Sequence, residues 1–340
     1  MRRNTYGGFA VLLMVLFSAI SPARVLALGS DITSIKTRTI STAASSVSGI
    51  TGNSQFTGGV FNLNFGGQAQ FITEFTFEEG TVNTDKAIPA KAYVRRNPVT
   101  DDRQQGYYQG TLDSSSNTFN FLSAGPLSEE MLFNVNNILA GPDDVFINTG
   151  ANLGGVLYNG NVSIERLDFV LDKAVKVNKD KDKDKGDDKG IGFAIFDRGT
   201  PTTHDPFGIA AITSVDELGN PTSYGPIHMI AAGTWGLTPL VVPIPQYYLL
   251  NNGGSDHPGL PINPTLTIPS NQTLGGVLIR ADELVSSGTI YGYSLFAADV
   301  TCTSETLVNV TDACFPTNTG AAAGGLDLAV PNLGALFLNK

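Results

Sequence analysis

Short runs in which apolar and polar residues alternate, each closed by glycine, proline, asparagine or aspartate, recur along most of the chain. A period of two is the signature of a strand with one face in the core, and those closing residues supply the backbone conformations that turns demand. Phe61–Phe65 and Gln70–Phe77 alternate in this way, and the second run predicts Phe71, Phe75 and Phe77 on one strand face. Further runs fall at Ala92–Arg95, Tyr107–Leu112, Thr118–Leu122, Val162–Val177, Ile191–Phe196, Gly208–Val215, Ile227–Ala232, Tyr247–Leu250, Gly276–Ile279 and Thr289–Asp299. With 38 glycines and 18 prolines the elements must be short, while 41% hydrophobic residues suffice for a packed core. One helix is expected, at Leu127–Leu139, where Ser128 can cap a first turn holding Glu129 and Glu130 and where Gly141-Pro142 stops it. Strand after strand with scarcely a helix predicts an all-β fold, an antiparallel β-sandwich or jelly-roll-like body.

The beginning of the chain predicts export. Arg2 and Arg3 precede an apolar run, Phe9–Ile20, and Val25-Leu26-Ala27 has the small residues of a cleavage site, the three parts of a secretory signal spanning residues 1–27. That run is shorter than the ~20 residues a spanning helix needs, and no later run approaches that length, so no membrane span is expected in the mature chain. Three of the 21 basic residues, Arg2, Arg3 and Arg24, lie in residues 1–27 with no acid beside them, so processing moves the formal charge from −10 to −13. An acidic chain repels phosphate backbones, which argues against nucleic acid as a partner. Cys302 and Cys314 enclose SETLVNVTDA, and in an oxidising compartment an isolated pair so close in sequence is expected to form a disulfide. The chain then divides into a polar segment at 28–55, a β domain at 56–300 and a disulfide loop with tail at 301–340. The Gly/Pro/Thr-rich residues 199–206 offer a place where the β domain can split in two.

The stretches NNILAGPDDVFINTG (136–150), VSIERLDFVLD (162–172), GFAIFDRGTPTTHDPFGIAAITSVDELGNPT (192–222) and GTIYGYSLFAADV (288–300) resemble the β-rich ectodomain of large secreted bacterial surface proteins. The likeness covers roughly residues 55 to 330 and includes no catalytic signature. It implies a location at the cell surface or in the extracellular matrix, and matrix or surface polymers, glycans among them, as partners. Unlike the larger members, this sequence carries no repeat array or sorting tail before Lys340.

Candidate sites are few. In NKDKDKDKGDDKG, between Val177 and Ile191, Asp180, Asp182 and Asp184 have the i, i+2, i+4 spacing that calcium loops use to converge carboxylates. Six lysines and five aspartates within Lys176–Lys189 nearly cancel, and Lys185 and Ile191 stand where an EF-hand loop needs Gly and Glu. Ammonium groups compete for the same carboxylates, so a solvated hairpin tip is the stronger expectation and calcium the weaker. His204, in Thr203-His204-Asp205-Pro206, can join Asp197, Arg198 and Asp205 in a loop cluster as a metal or ligand contact, but His228 and His257 lie far from it in sequence. Trp235, fenced by glycines in GTWGLTP, can present a ring to a sugar face or fold onto its own sheet. Glu74, Glu165, Asp168, Asp197 and Asp299 are the acids from which a glycosidase pair would be drawn, and Asn161, Asn271 and Asn309 open N-x-S/T sequons. Three functions stay open: a structural or adhesive protein of the cell surface or matrix, a carbohydrate- or peptide-binding module, and an exported polysaccharide hydrolase.

Overall fold

The computed structural model describes residues 28–43, 45–48, 60–63, 68–95, 106–113, 118–126, 130–133, 138–139, 152–153, 156–157, 165–178, 190–199, 204–240, 273–315, 326, 328 and 333–338. The strands of the first half are β1 (Ser30–Ala43), β2 (Ser45–Ser48), β3 (Val60–Leu63), β4 (Gln68–Phe77), β5 (Gly80–Asn83), β6 (Ala90–Arg95), β7 (Gly106–Asp113), β8 (Thr118–Pro126), β9 (Glu130–Phe133) and β10 (Ile138–Leu139). Then follow β11 (Asn152–Leu153), β12 (Val156–Leu157), β13 (Arg166–Asn178), β14 (Gly190–Gly199), β15 (Phe207–Val215), β16 (Pro221–Tyr224), β17 (His228–Ile230), β18 (Thr273–Arg280), β19 (Ser287–Ala297) and β20 (Leu336–Leu338). A single helical turn, α1 (Ala281–Leu284), follows β18, and a 3-10 turn spans Thr84–Lys86.

Two large sheets form the body. The first has the order β10-β4-β1-β18-β14-β20 and the second β16-β15-β19-β13-β6-β9. Pairing is antiparallel except between β1 and β8. The expected all-β, antiparallel sandwich is therefore what the chain forms. Leu167, Phe169 and Leu171 of β13, Ile209 and Ala211 of β15, and Tyr293 and Leu295 of β19 face Phe193 and Ile195 of β14 and Val277 and Ile279 of β18 in the inter-sheet core. Alternate residues of β14 and β18, Ala194, Phe196, Leu274 and Leu278, point the other way, into a second core with Ile32, Phe75, Phe77 and Val82. Phe75 and Phe196 meet edge to face with centroids 6.3 Å apart, although β4 and β14 are three places apart in the sheet order. Strands so placed lie about 14 Å apart in a flat sheet, so the first sheet coils back on itself. The turn into that coil is made in β1, which pairs with β18 at Ser30 and Asp31 and with β4 from Ile32 onward. Thr33 is the extra residue there, as expected of a strand that changes direction at a bulge.

Four expectations are corrected. Residues 127–139 do not form the helix: Glu130–Phe133 is β9, paired with β6, and Ile138–Leu139 is β10, paired with β4. Both segments satisfy backbone groups of strands that would otherwise end their sheets exposed, and that tertiary pairing outweighs a local cap. The short helix lies at Ala281–Leu284 instead. Phe71 does not share a face with Phe75 and Phe77, because Lys36 and Thr37 of β1 pair with Glu74 and Ile72, leaving Thr73 as a bulge that inverts the alternation. Phe71 joins the inter-sheet core, Phe75 and Phe77 the second. The Lys/Asp run does not close a hairpin, since β13 belongs to the second sheet and β14 to the first, so it crosses between them. Finally, the β body reaches beyond 56–300, for β1 sits inside the first sheet and β20 pairs with β14. The strands flanking 199–206, β14 and β15, also belong to different sheets.

Candidate functional site

Alternation along β13 sends Leu167, Phe169 and Leu171 to the core and Arg166, Asp168 and Val170 to the opposite face. On a sandwich that outer face normally meets water. Here the loop closed by the Cys302–Cys314 disulfide covers it, packing Leu307 and Phe315 onto Ala210, Ile212, Tyr224 and Phe296. Arg166, Asp168 and Arg95 are consequently buried.

Arg95 and Arg166 are direct cross-strand neighbours, a like-charge pairing that costs stability by itself. Asp168 offsets it. Its Oδ2 accepts from Arg95 Nε and from Arg166 Nη2, each at 3.2 Å. Its Oδ1 accepts from Ser294 Oγ at 2.6 Å and from Tyr224 OH at 3.2 Å, and Arg166 Nε lies 3.0 Å from the same oxygen as an ion-pair contact. The guanidiniums also reach outward: Arg166 Nη1 donates to the carbonyls of Leu307 and Val308, both at 2.7 Å, and Arg95 Nη2 to Asn220 Oδ1 at 2.8 Å. Asn220 closes the β15–β16 turn, where Asp216 accepts from the backbone N–H groups of Leu218 and Asn220 and from the Asn220 amide. Those bonds, the Asn220 amide foremost, hold the Asp216 carboxyl below the usual range.

This arrangement fastens; it does not attack. Burial, with the charge of Asp168 adding to it, pushes the Tyr224 phenol far up, so it stays a donor across the ordinary pH range. Ser294 spends its proton on a carboxylate and is fully buried, with no imidazole among its hydrogen-bond partners. Of the acids considered for glycoside hydrolysis, Glu74 pairs with Lys36 on the β1–β4 surface, Asp168 lies under the disulfide loop, Asp197 is buried on β14 in the other sheet, and Asp299 follows β19, whose Ala297 N–H donates to the Glu165 carbonyl. Glu165, just before β13, is buried as well.

A second polar cluster plugs one end of the inter-sheet core. Trp235 is only 1% exposed, so of the two placements open to it the ring takes the inward one. It packs edge to face on Phe207 at 5.1 Å and donates from Nε1 to the Asp205 carbonyl at 3.1 Å. The His204 ring lies 5.4 Å from it and is fully buried. The imidazole lies against β18 at Gly275, where any Cβ would overlap it, so the glycine there makes room for the ring. Asp197 Oδ2 accepts from Asp205 N at 2.7 Å, and Asp31 accepts from the N–H groups of Gly236 and Leu237 at 2.8 and 2.9 Å. Asp197, His204 and Asp205 thus come together as their spacing suggested, with Asp197 and His204 buried and Asp205 partly so.

Among the described residues no group of three or more His, Cys, Asp or Glu side chains is placed to hold a metal ion. Asp180, Asp182 and Asp184 lie outside the described residues, as do residues 1–27, His257, Asn161 and Asn271. Asn309 is exposed in the disulfide loop, its amide bonded to Thr311 and Asp312. The disulfide loop and Arg166 clamp were missed from sequence as one site, and the only signal was charge at alternate positions of a strand otherwise apolar. No helix among the described residues is long and apolar enough to cross a membrane. No family model, curated protein or solved structure matches the chain.

Proposed function

We propose that the protein is exported and serves a structural or adhesive role at the cell surface or in the extracellular matrix. The observation that carries this reading is the Cys302–Cys314 loop, closed covalently and clamped onto the second sheet by buried Arg166. Disulfides persist in oxidising compartments, where a loop so anchored withstands local opening. The signal-like residues 1–27, the acidic charge and the resemblance to bacterial surface ectodomains support it further. Buried Arg166, held by Asp168, is spent on fastening the disulfide loop to the second sheet, which suits a load-bearing module. Surface or matrix polymers, glycans among them, are its partners. The test is to fractionate producing cells and to screen the purified protein on glycan arrays and chromogenic glycosides. Recovery from medium or envelope with the disulfide intact, and loss of cell cohesion on deletion, is the expected result. Cytosolic protein with two free thiols, or turnover of a glycoside, overturns it; retention on the array without turnover identifies the polymer it adheres to.

A further inference from the structure

Leu28 packs its side chain against the inter-sheet core. Gly29 follows at φ 82°, where a Cβ would lie 2.7 Å from Val277 Cγ2 and 2.9 Å from the Leu278 carbonyl oxygen, so only glycine seats the backbone this closely on β18. The Gly29 N–H donates to Glu283 Oε1 at 3.0 Å, and Glu283 Oε2 accepts from Arg280 N at 2.7 Å. One carboxylate of α1 therefore holds both the end of β18 and the segment that enters β1. The charged groups around it are Arg280, bonded to Asp282 at 3.0 Å and to Glu79 at 3.1 Å, and those two acids. Asp282 and Glu79 share the guanidinium, Glu283 accepts from backbone N–H groups, and the amide next to Gly29 belongs to Leu28, the residue that follows Val25-Leu26-Ala27.

We propose that hydrolysis of the Ala27–Leu28 peptide bond creates a charged N-terminus whose receptor is already built: the Leu28 α-ammonium pairs with Glu283 and locks the entry of β1 onto α1 and β18. This rests on the reading of the chain as exported, because a signal-type endopeptidase makes the cut. Water supplies the balance: its hydroxyl goes to the Ala27 carbonyl carbon, which leaves as a carboxylate, and the Leu28 nitrogen takes protons to become an ammonium at neutral pH. An α-amino group ordinarily titrates near about 7.7–8.0, and an adjacent carboxylate raises that value. A pKa raised in the folded state gives stability that is complete below the unfolded value and is lost as pH rises through the folded one.

The experiment uses the full chain, made once in an exporting host and once by cell-free translation with residues 1–27 retained, each as wild type and as Glu283→Gln. Intact mass of the exported form should begin at Leu28; a product retaining residues 1–27 overturns the cleavage and the export reading together. Melting temperatures are then followed from pH 6 to 10. The processed wild type should lose about 2–4 °C above pH ~8 in a step absent from Glu283→Gln and from the unprocessed chain. Superimposable profiles for processed wild type and Glu283→Gln overturn the pairing while leaving the export reading intact. The pH dependence of Leu28 α-amine acylation, read by peptide mass, tests the pairing without any substitution: a pKa above the ordinary range is expected, and one at or below it overturns the proposal.

Discussion

At the scale of single residues, the two most buried phenols among the described residues stand in opposite circumstances. Tyr224 donates to Asp168, so its hydroxyl is satisfied. Tyr293 is fully buried between Phe169 and Phe193, with centroids at 4.6 and 4.4 Å, and its hydroxyl finds no hydrogen-bond partner among the described residues. Burial alone pushes that phenol far up, so it stays neutral and keeps a proton with no acceptor. An unsatisfied buried hydroxyl costs about 1–3 kcal/mol, and removing it without changing the ring's shape returns part of that. Tyr293→Phe should therefore raise the urea midpoint at unchanged m-value, corresponding to about 1 kcal/mol of added unfolding free energy; a loss of stability would mean that the hydroxyl is bonded after all. Thr289–Asp299 was legible as a strand, but not the face that Tyr293 takes, because Ile290 and Tyr293 both join the inter-sheet core while Tyr291 joins the outer cluster. That the Tyr293 hydroxyl is stranded depends on which side chains the opposite sheet supplies.

At the scale of elements, β13 and the disulfide loop form one unit. The Arg166 guanidinium bonds the Leu307 and Val308 carbonyls. Arg166→Met removes both bonds and leaves Asp168 with Arg95 as its one cationic partner, a broken buried pair of the kind that costs about 3–5 kcal/mol. We expect hydrogen exchange to accelerate in residues 303–313 well before β13 or β19, since the disulfide keeps the loop tethered but not seated. Equal acceleration in β13 would show that the clamp supports the sheet rather than the loop. Elements also show where local pattern misleads. The period-two signal located β4, β13, β14, β15, β18 and β19 closely, and the Asp216–Asn220 turn was legible from its residue types. The return strand starts at once, at Pro221 in β16, sooner than the apolar pattern indicated. Thr73 and Thr33 carry no mark of being bulges, and Leu127–Leu139 carried a helix cap whose weight was smaller than that of two open strand edges.

At the scale of the whole molecule, the chain runs from β13 in the second sheet to β14 in the first, back to β15, β16 and β17 in the second, then to β18 in the first and β19 in the second. A chain that crosses repeatedly between two sheets sharing one core has no point at which it can be cut into self-sufficient halves. Proteolysis near 199–206 should leave fragments that stay associated in native gel filtration and melt in one transition; two separable folded halves would refute the single-body reading. What the amino-acid sequence determined by itself was local: a period of two makes strands, glycine, proline, asparagine and aspartate end them, and a close cysteine pair closes its own loop. What only the tertiary structure decided was partnership. The Lys/Asp run joins strands of different sheets, Arg166 and Asp168 become buried because a distant loop lies over them, and Trp235 turns inward onto Phe207. Each outcome is set by contacts between residues far apart in sequence, whose energies exceed the local preferences that a short window records.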